Sequence, residues 1–358
     1  MPRPSPFLLH GWLRAWWKIH RDDDATLQVH VARRDGRLVG AIPLYSSHDR
    51  GLTVVRFLGG ENSSLADILL AADSGPDVSA ALAHRVEQAR HDLVDLYGLP
   101  SESRLAAALG DGLRLLQRSE APVLDLRPGW DTVYRAKLSS KRRSMHRKRL
   151  SQLGELGAVE VTIARTLDEL EPALEDALRL HSARWASRPD GSTFAQPLGP
   201  AFQRAALPAL AGTGVARIAR LLVDGRPAAF RYYFLLEGRM VGNGTGYDVQ
   251  FASCSPGWLL MLAALEAAAS EGADTVEFLG GDEPYKLQFA DRLDPLYEAI
   301  GLPGSARGKV AATCMVRTIQ LRRRLRESER LRRFYYDGLA PVRRARQRLR
   351  RVAGSQDP

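Results

Sequence analysis

"LQVHVARRDGRLVGAIPLY", Leu27 to Tyr45, and "ARIARLLVDGRPAAFRYYFLLEG", Ala216 to Gly238, carry the same Asp-Gly-Arg phrase between two β-like runs. Asp-Gly flanked by alternating apolar residues is a hairpin signal, because both turn positions need a positive φ that glycine and aspartate accept readily. The elements after each hairpin keep the same order. After the first come a β-like run at Leu52 to Leu58, the helical "GPDVSAALAHRVEQAR" with apolar spacing near i, i+4, i+8, and the short strand "DLVDLYG". After the second come "RMVGNGTGYDV", the helical "SPGWLLMLAALEAAASEG" and the strand "TVEFLGG". Aligned on the two turns, "EFLGGDEPYK" has "DLYGLPSESR", Asp95 to Arg104, as its counterpart; the earlier "FLGG" at Phe57 to Gly60 falls one strand too soon. The chain therefore reads as two copies of one β-β-β-α-β unit. That is an α/β (α+β) architecture of two tandem units, each a mixed sheet flanked by helices.

Length and composition agree. A chain of 358 residues, 45% hydrophobic and 26% charged, suits two soluble domains with real cores. Two cysteines, Cys254 and Cys314, without a CxxC or a Cys/His cluster, speak against a disulfide framework or structural zinc. They favour a reducing, cytoplasmic setting, and no metal is expected. "MPRPSPFLLHGWLRAWWKIHRDDD" has neither an uninterrupted apolar core nor a small-residue cleavage site, so no signal peptide is expected. No run approaches the roughly 18 uncharged apolar residues of a membrane span.

The net charge of +10 is concentrated at one end. From Pro303 to Pro358 sixteen basic residues face four acids, or +12, which leaves −2 for the rest. This Arg-rich tail, with Val316, Ile319, Leu325 and Leu331 among the charges, fits a basic helix on an anionic membrane face, a nucleic-acid contact or a solvated segment. A second basic run, "YRAKLSSKRRSMHRKRLSQLGELG", lies between the copies and reads as one helix, either a solvated linker or a surface for a phosphate-rich partner.

Chemistry gathers in the second copy. Helix starts expose unpaired N–H groups, so Ser255, Gly257 and Trp258, where the last long helix begins, form either a plainly capped start or an anion site. "GNGTG" at Gly242 to Gly246 fails as a dinucleotide fingerprint, since strand-like sequence and not a helix surrounds it. In "GGDEPYK" the glycines permit a sharp bend, and Pro284 keeps Glu283 out of helical geometry. Asp282, Glu283 and Lys286 either pair with one another or form a functional loop at a strand's carboxyl end. His181, with Arg184 and Trp185 one turn on, is a structural histidine or a substrate contact. Tyr247 and Asp248 end the third strand of this copy, where a tyrosine could give a proton to a leaving thiolate. No GxSxG element is present.

These residues carry a resemblance. From Leu138 to about Ala299, "LSSKRRSMHRKRLSQLGELG", "LHSARW", "VDGRPAAF", "GYDVQFASCSPGWLLMLAALEAA" and "EFLGGDEPYKLQF" resemble GNAT-type acyltransferases of the CelD-like branch, named for cellulose biosynthesis. "PFLLHGWLRAWW", "DGRLVGAIPLY" and "VRFLGG" resemble the N-terminal part of the same proteins. The resemblance implies two GNAT-like folds in tandem, as in the FemABX peptidyltransferases. It divides the chain into a support domain (1–134), a basic linker helix (135–157), a catalytic domain (158–302) and the tail (303–358). It implies acetyl-CoA or another acyl-CoA as donor, and an amine acceptor on an amino sugar or a polysaccharide or cell-envelope precursor. Asp282 and Glu283 would then serve as base, Tyr247 or Tyr285 as acid, and Lys286 would steady the acceptor or an oxyanion. Where the GNAT pattern has Q/R-x-x-G-x-G/A before the main helix, this chain has "SCSPGWL". A FemABX-like transferase using aminoacyl-tRNA, and a non-catalytic accessory of polysaccharide assembly, are the alternatives.

Overall fold

The computed structural model describes residues 4–185, 194, 196–280 and 283–327. Asp282 and most of the tail thus lie outside the described residues, as does the side chain of Trp185. In chain order the elements are α1 (His10–His20), β1 (Thr26–Arg34), β2 (Arg37–Asp49), β3 (Leu52–Phe57), the two-residue β4 (Leu69–Leu70), α2 (Pro76–Gln88), β5 (Leu93–Pro100), α3 (Arg104–Leu109) and β6 (Leu113–Asp125). A connecting section holds α4 (Trp130–Lys137), α5 (Ser140–Gly154), β7 (Val159–Ala164), α6 (Leu167–Trp185) and α7 (Gly199–Gly212). Then come β8 (Ala216–Val223), β9 (Arg226–Leu236), β10 (Arg239–Tyr247), α8 (Pro256–Ser270), β11 (Thr275–Glu277), α9 (Pro284–Phe289), β12 (Arg292–Gly301) and α10 (Ala306–Glu327).

The duplication is real. β1-β2-β3-α2-β5-α3-β6 recurs as β8-β9-β10-α8-β11-α9-β12. Both hairpins turn on residues held at positive φ, Asp35 (52°) with Gly36 (79°) and Asp224 (47°) with Gly225 (72°). The bend in the first copy that corresponds to Leu279 and Gly280 falls at Gly98, with φ +81°; a β-carbon there would come 2.7 Å from the Ser63 carbonyl oxygen. The early "FLGG" follows β3, the counterpart of β10, so it is indeed one strand early.

What no local pattern could show is how the copies join. All twelve strands form one sheet in the order β1-β2-β3-β5-β12-β6-β11-β10-β9-β8-β7, with β4 on β2. β12 of the second copy lies between β5 and β6 of the first, and β6 lies between β12 and β11. Each copy has therefore lent its last strand to the other, and the two long antiparallel strands form the seam. A pseudo-two-fold axis between β6 and β12 relates the parallel pair β3/β5 to the parallel pair β10/β11.

Helices cover both faces. α2 packs Val78, Leu82 and Val86 against Ile42, Leu44 and Val94, and α8 packs Leu260, Ala264 and Leu265 against Ala219, Ala229 and Met240. The opposite face is covered by α6 and α7 with Phe230, Tyr232 and Phe234. β9 is buried on both sides, which is why "AAFRYYF" is a nearly continuous apolar run rather than an alternating one. α1 bridges the lobes. Trp12 lies edge-on to Phe202 (4.6 Å between centroids) and Phe234 (5.6 Å), and its Nε1 donates to Ser63 Oγ at 3.0 Å.

Two expectations need revision. The basic stretch is not one helix: it breaks at Leu138, whose φ/ψ are extended, and restarts with the Ser139 side chain accepting from the Arg142 amide. Leu138 and Leu153 are fully buried in the α8 cluster, so these helices are packed into the second lobe rather than strung between lobes. In the tail, Val316 and Ile319 do not form an apolar face for a membrane. They pack on Leu93 and Ile300 of β5 and β12. Leu325 and Leu331 fall outside the described side chains, and no described helix is long and apolar enough to cross a membrane.

Candidate active site

β10 and β11 are paired for only three residues, Arg239–Val241 with Thr275–Glu277. Beyond that point β10 runs on to Tyr247, while the segment after β11 parts from it through Phe278, whose amide still bonds the Pro122 carbonyl of β6, Leu279 and Gly280. A register shift in β10 between Gly242 and Gly244 accompanies the parting. The last paired residue, Glu277, is fully buried and holds Arg239, with Nε to Oε1 at 2.8 Å. That charge-assisted bond ties the two strands together along their short paired segment.

α8 starts at the mouth of this wedge. Ser255 occupies its N-cap position in the left-handed region, φ 52°, and makes no side-chain cap, so the hydroxyl does not compete for the first-turn amides. Pro256 follows at the first helical position, as the sequence indicated. Gly257 lets Tyr247 come close: a β-carbon there would lie 3.3 Å from Tyr247 Cδ1. On its other side the Tyr247 ring carries the Arg184 guanidinium, 4.5 Å from its centroid. Asp248 is engaged locally, its Oδ1 accepting from the Gln250 amide at 2.9 Å at the start of a 3-10 turn.

Cations border the α8 start. α5, which carries six Lys and Arg residues and no acid, lies against the 3-10 turn Val249–Cys254. It is clamped there by Trp258, whose ring meets His146 edge-on at 5.6 Å and Arg149 at 5.9 Å. His146 Nδ1 is tied to the Tyr134 hydroxyl at 2.8 Å, and burial with nearby Arg147 lowers its pKa. Lys141, Arg142, Arg147 and Lys148 remain exposed. The positive end of a helix without a side-chain cap, beside a basic helix, is an electrostatic setting for phosphate.

On the other margin, Lys286 is nearly buried and donates from Nζ to the Gly280 carbonyl at 3.1 Å and to Glu283 Oε2 at 2.9 Å. Glu283 itself is half exposed and extended (ψ 131°), as Pro284 requires. The Glu283–Lys286 pair anticipated from the spacing is thus present. Tyr285 is partly buried against the α8 cluster, which also receives Tyr247. His181 is buried beside Phe194 (5.2 Å) and Phe230 (6.3 Å); burial, then Arg184, push its pKa down to about 4. It is neutral at neutral pH and cannot serve there as a cationic acid.

Residues that the sequence reading passed over also appear. Arg231 of β9 is 6% exposed, and among the described residues no carboxylate pairs with it. Arg56, Asp95, Arg118 and Glu298 converge on one cavity across four neighbouring strands. The available signal was a lone acid inside an apolar run, Asp95 in "LVDLYGLP" and Glu298 in "PLYEAIG".

Residues 140–287 match the Acetyltransferase (GNAT) domain family. Among solved structures, the chain is similar to FemX, with 12% identity, 84% of this chain and 92% of that one covered, and a TM-score of 0.58. It is similar to L-PGS from Bacillus licheniformis at 17% identity, covering 88% and 97%, with a TM-score of 0.54. A third is the C-terminal domain (DUF2156) of a putative lysylphosphatidylglycerol synthetase from Agrobacterium fabrum, at 14% identity, 85% and 94% coverage and a TM-score of 0.50. No curated protein matches the chain. Residues 140–287 are thus similar to a GNAT-type acetyltransferase domain, and the fold of the whole chain is similar to that of FemX.

Proposed function

We propose that this protein is an N-acyltransferase that moves an acyl group, acetyl in the simplest case, from acyl-CoA to an amine. The observation that carries this reading is the coincidence of three features at one place. β10 and β11 part, α8 begins there without a side-chain cap, and the basic α5 lies against the 3-10 turn that leads into α8. The diphosphate of an acyl-CoA fits the positive end of α8 and the cations of α5, and an extended pantetheine arm fits a gap between diverging strands. The second copy, 158–302, would hold the chemistry and the first, 1–134, would support it.

In such a transfer the amine nitrogen attacks the thioester carbonyl, a C–N bond forms, and the C–S bond breaks. Holding the two reactants in line supplies much of the acceleration. A base must take the proton of the attacking amine, and an acid must meet the leaving thiolate. Glu283 is tied to Lys286, which weakens it as a base, so Asp282 is the first choice, with Glu283 as relay. Tyr247, at the α8 start, is better placed than Tyr285 to protonate the thiolate. Lys286, held by two oxygens, would present its remaining donor to the acceptor or the developing oxyanion. Ser255, Gly257 and Trp258 would bound the donor, and His181, Arg184, Trp185 and Asp248 the acceptor side.

The acceptor class rests on the CelD-like resemblance: an amino sugar or a cell-envelope or polysaccharide precursor, in the cytoplasm or at the inner membrane face, where the tail would make peripheral contact. A second reading rests on the four exposed cations of α5, which would equally suit a tRNA acceptor stem carrying an aminoacyl donor. Acetyl-CoA at about 100 times its Kd should stabilise the fold by roughly 2.7 kcal/mol, seen as a thermal shift. Salt-sensitive RNA binding without CoA binding would establish the second reading. Silence toward acetyl-CoA, longer acyl-CoAs and aminoacyl-tRNA would reduce the protein to an accessory of envelope assembly.

A further inference from the structure

We propose that the cavity beneath α1, walled by β3, β5, β12 and β6, recognises a protonated amine on a small polar molecule and so holds that molecule beside the transfer site. This assignment rests on the acyltransferase reading for its purpose, but its chemistry stands on the cavity alone.

The pseudo-two-fold axis places β3/β5 where β10/β11 lie in the other lobe, and this pair also separates early. Only Val54 and Val55 are paired with Leu93 and Val94. Where β10 and β11 open onto the α8 start, β3 and β5 open onto a cavity of about 370 Å³. Its floor is polar. Arg56 Nε lies 3.4 Å from Asp95 Oδ2, and Arg118 Nε lies 2.9 Å from Glu298 Oε2. Arg118 is the extra residue of a bulge, since Ser119 faces Leu296 while Gln117 faces Tyr297. Burial raises the pKa of both Asp95 and Glu298, and the Asp95 charge adds to the rise at Glu298. Trp16 and His20 of α1 form the roof, their rings stacked at 5.4 Å, and both His20 nitrogens lack a hydrogen-bond partner among the described residues.

The charge count gives the ligand's sign. Four carboxylates line the cavity, Asp22, Glu61, Asp95 and Glu298, against two guanidinium groups, Arg56 and Arg118. Fully ionised, the lining carries 4 − 2, two net negative charges. Arg56 is shared further with Asp49 at 3.1 Å, so its charge is not wholly available to the cavity. Burial and Asp95 raise Glu298 to about 7, the response expected where a positive charge is missing. A buried structural ion network would leave neither the empty volume nor the uncompensated acids. An ammonium group supplies the absent charge, and Trp16, Tyr45 and Tyr97 offer it aromatic faces. At ~30 Å³ per water the volume holds about a dozen waters, the size of one amino sugar or short diamine.

Position ties the cavity to the transfer site. Arg118 directly precedes Ser119, whose Oγ would lie 2.8 Å from a β-carbon on Gly280, and Gly280 is the residue whose carbonyl receives Lys286. Gln196 also lines the cavity, two residues from Phe194, whose ring abuts Gly244 of β10. The cavity thus borders both margins of the β10/β11 wedge.

The test is calorimetric binding to the full chain at pH 7.5. Glucosamine is paired with N-acetylglucosamine and putrescine with 1,4-butanediol, so each cation has a neutral counterpart. We expect at least one amine to bind tenfold or more tightly than its counterpart, and Glu298→Gln or Asp95→Asn to lose that preference. Should those variants misfold, Glu61→Gln at the exposed rim should weaken the amine a few-fold. Equal binding of amine and neutral partner, or an unchanged amine Kd in the correctly folded variants, overturns the proposal. Acetyl-CoA is titrated in parallel. Binding of acetyl-CoA without amine selectivity removes the cavity assignment and leaves the transferase reading. Amine selectivity without acyl-CoA binding does the reverse.

Discussion

Trp12→Ala offers the sharpest test of how the lobes are joined. Trp12 is 1% exposed, and its ring touches Phe7 at 5.4 Å, Phe202 at 4.6 Å and Phe234 at 5.6 Å. Truncating a buried tryptophan costs about 3–5 kcal/mol in lost transfer energy and cavity. Its indole also donates to Ser63 Oγ at 3.0 Å, and Ser63 is 1% exposed, so the orphaned hydroxyl adds about 1 kcal/mol or more. The sum, about 4–6 kcal/mol, is a large part of the roughly 5–15 kcal/mol that holds a typical domain together. Trp12→Phe keeps most of the packing and loses the hydrogen bond, so it should cost only about 1–3 kcal/mol. Because Phe234 belongs to the second copy, Phe202 to the helix α7 packed on it, and Ser63 to the first copy, both lobes should lose stability together. Urea unfolding followed by far-UV circular dichroism reads this directly. A loss below about 1 kcal/mol for Trp12→Ala, or two separated transitions of which only one moves, would refute the idea that α1 staples the lobes.

The geometry sets three further outcomes. Glu277→Ala takes its carboxylate partner from Arg239 and should cost about 3–5 kcal/mol, as breaking buried ion pairs does; a surface-like loss below about 1 kcal/mol in a denaturation curve would contradict the assigned burial. His181 is held neutral with a pKa near 4, so its contribution to stability is present above its unfolded value of about 6.5 and is lost as pH falls toward 4. The stability gap between wild type and His181→Gln should therefore shrink across that window, and a gap that is flat with pH would refute it. Lys286→Met should reduce kcat far more than it changes the acetyl-CoA Kd, by about 10²-fold if the ammonium meets an oxyanion. An equal loss in donor binding would make the lysine merely structural.

Much of this fold could be read from the chain before any coordinates. The Asp-Gly turns, the helix from Pro256 to Ser270 and the repeated element order are local matters, set by turn chemistry and by periodicity within a few residues. The Glu283–Lys286 contact was legible for the same reason, since the partners stand three positions apart. The break at Leu138 was not, because a buried leucine in the α8 cluster overrides a run of good helix formers.

Sequence alone thus determined the units: two similar β-rich modules, the Asp-Glu-Pro-Tyr-Lys motif carried by the second, and the charge carried at the end. Tertiary structure alone decided that the modules exchange their last strands, that α1 crosses between them, and that Asp95 meets Glu298 across more than half the chain. The physical reason is range. Turns and helices are selected by neighbours within a turn or two. Strand exchange and a cavity of shared charges depend on pairings hundreds of residues apart, which leave no period in the sequence, only a stray acid in an apolar strand.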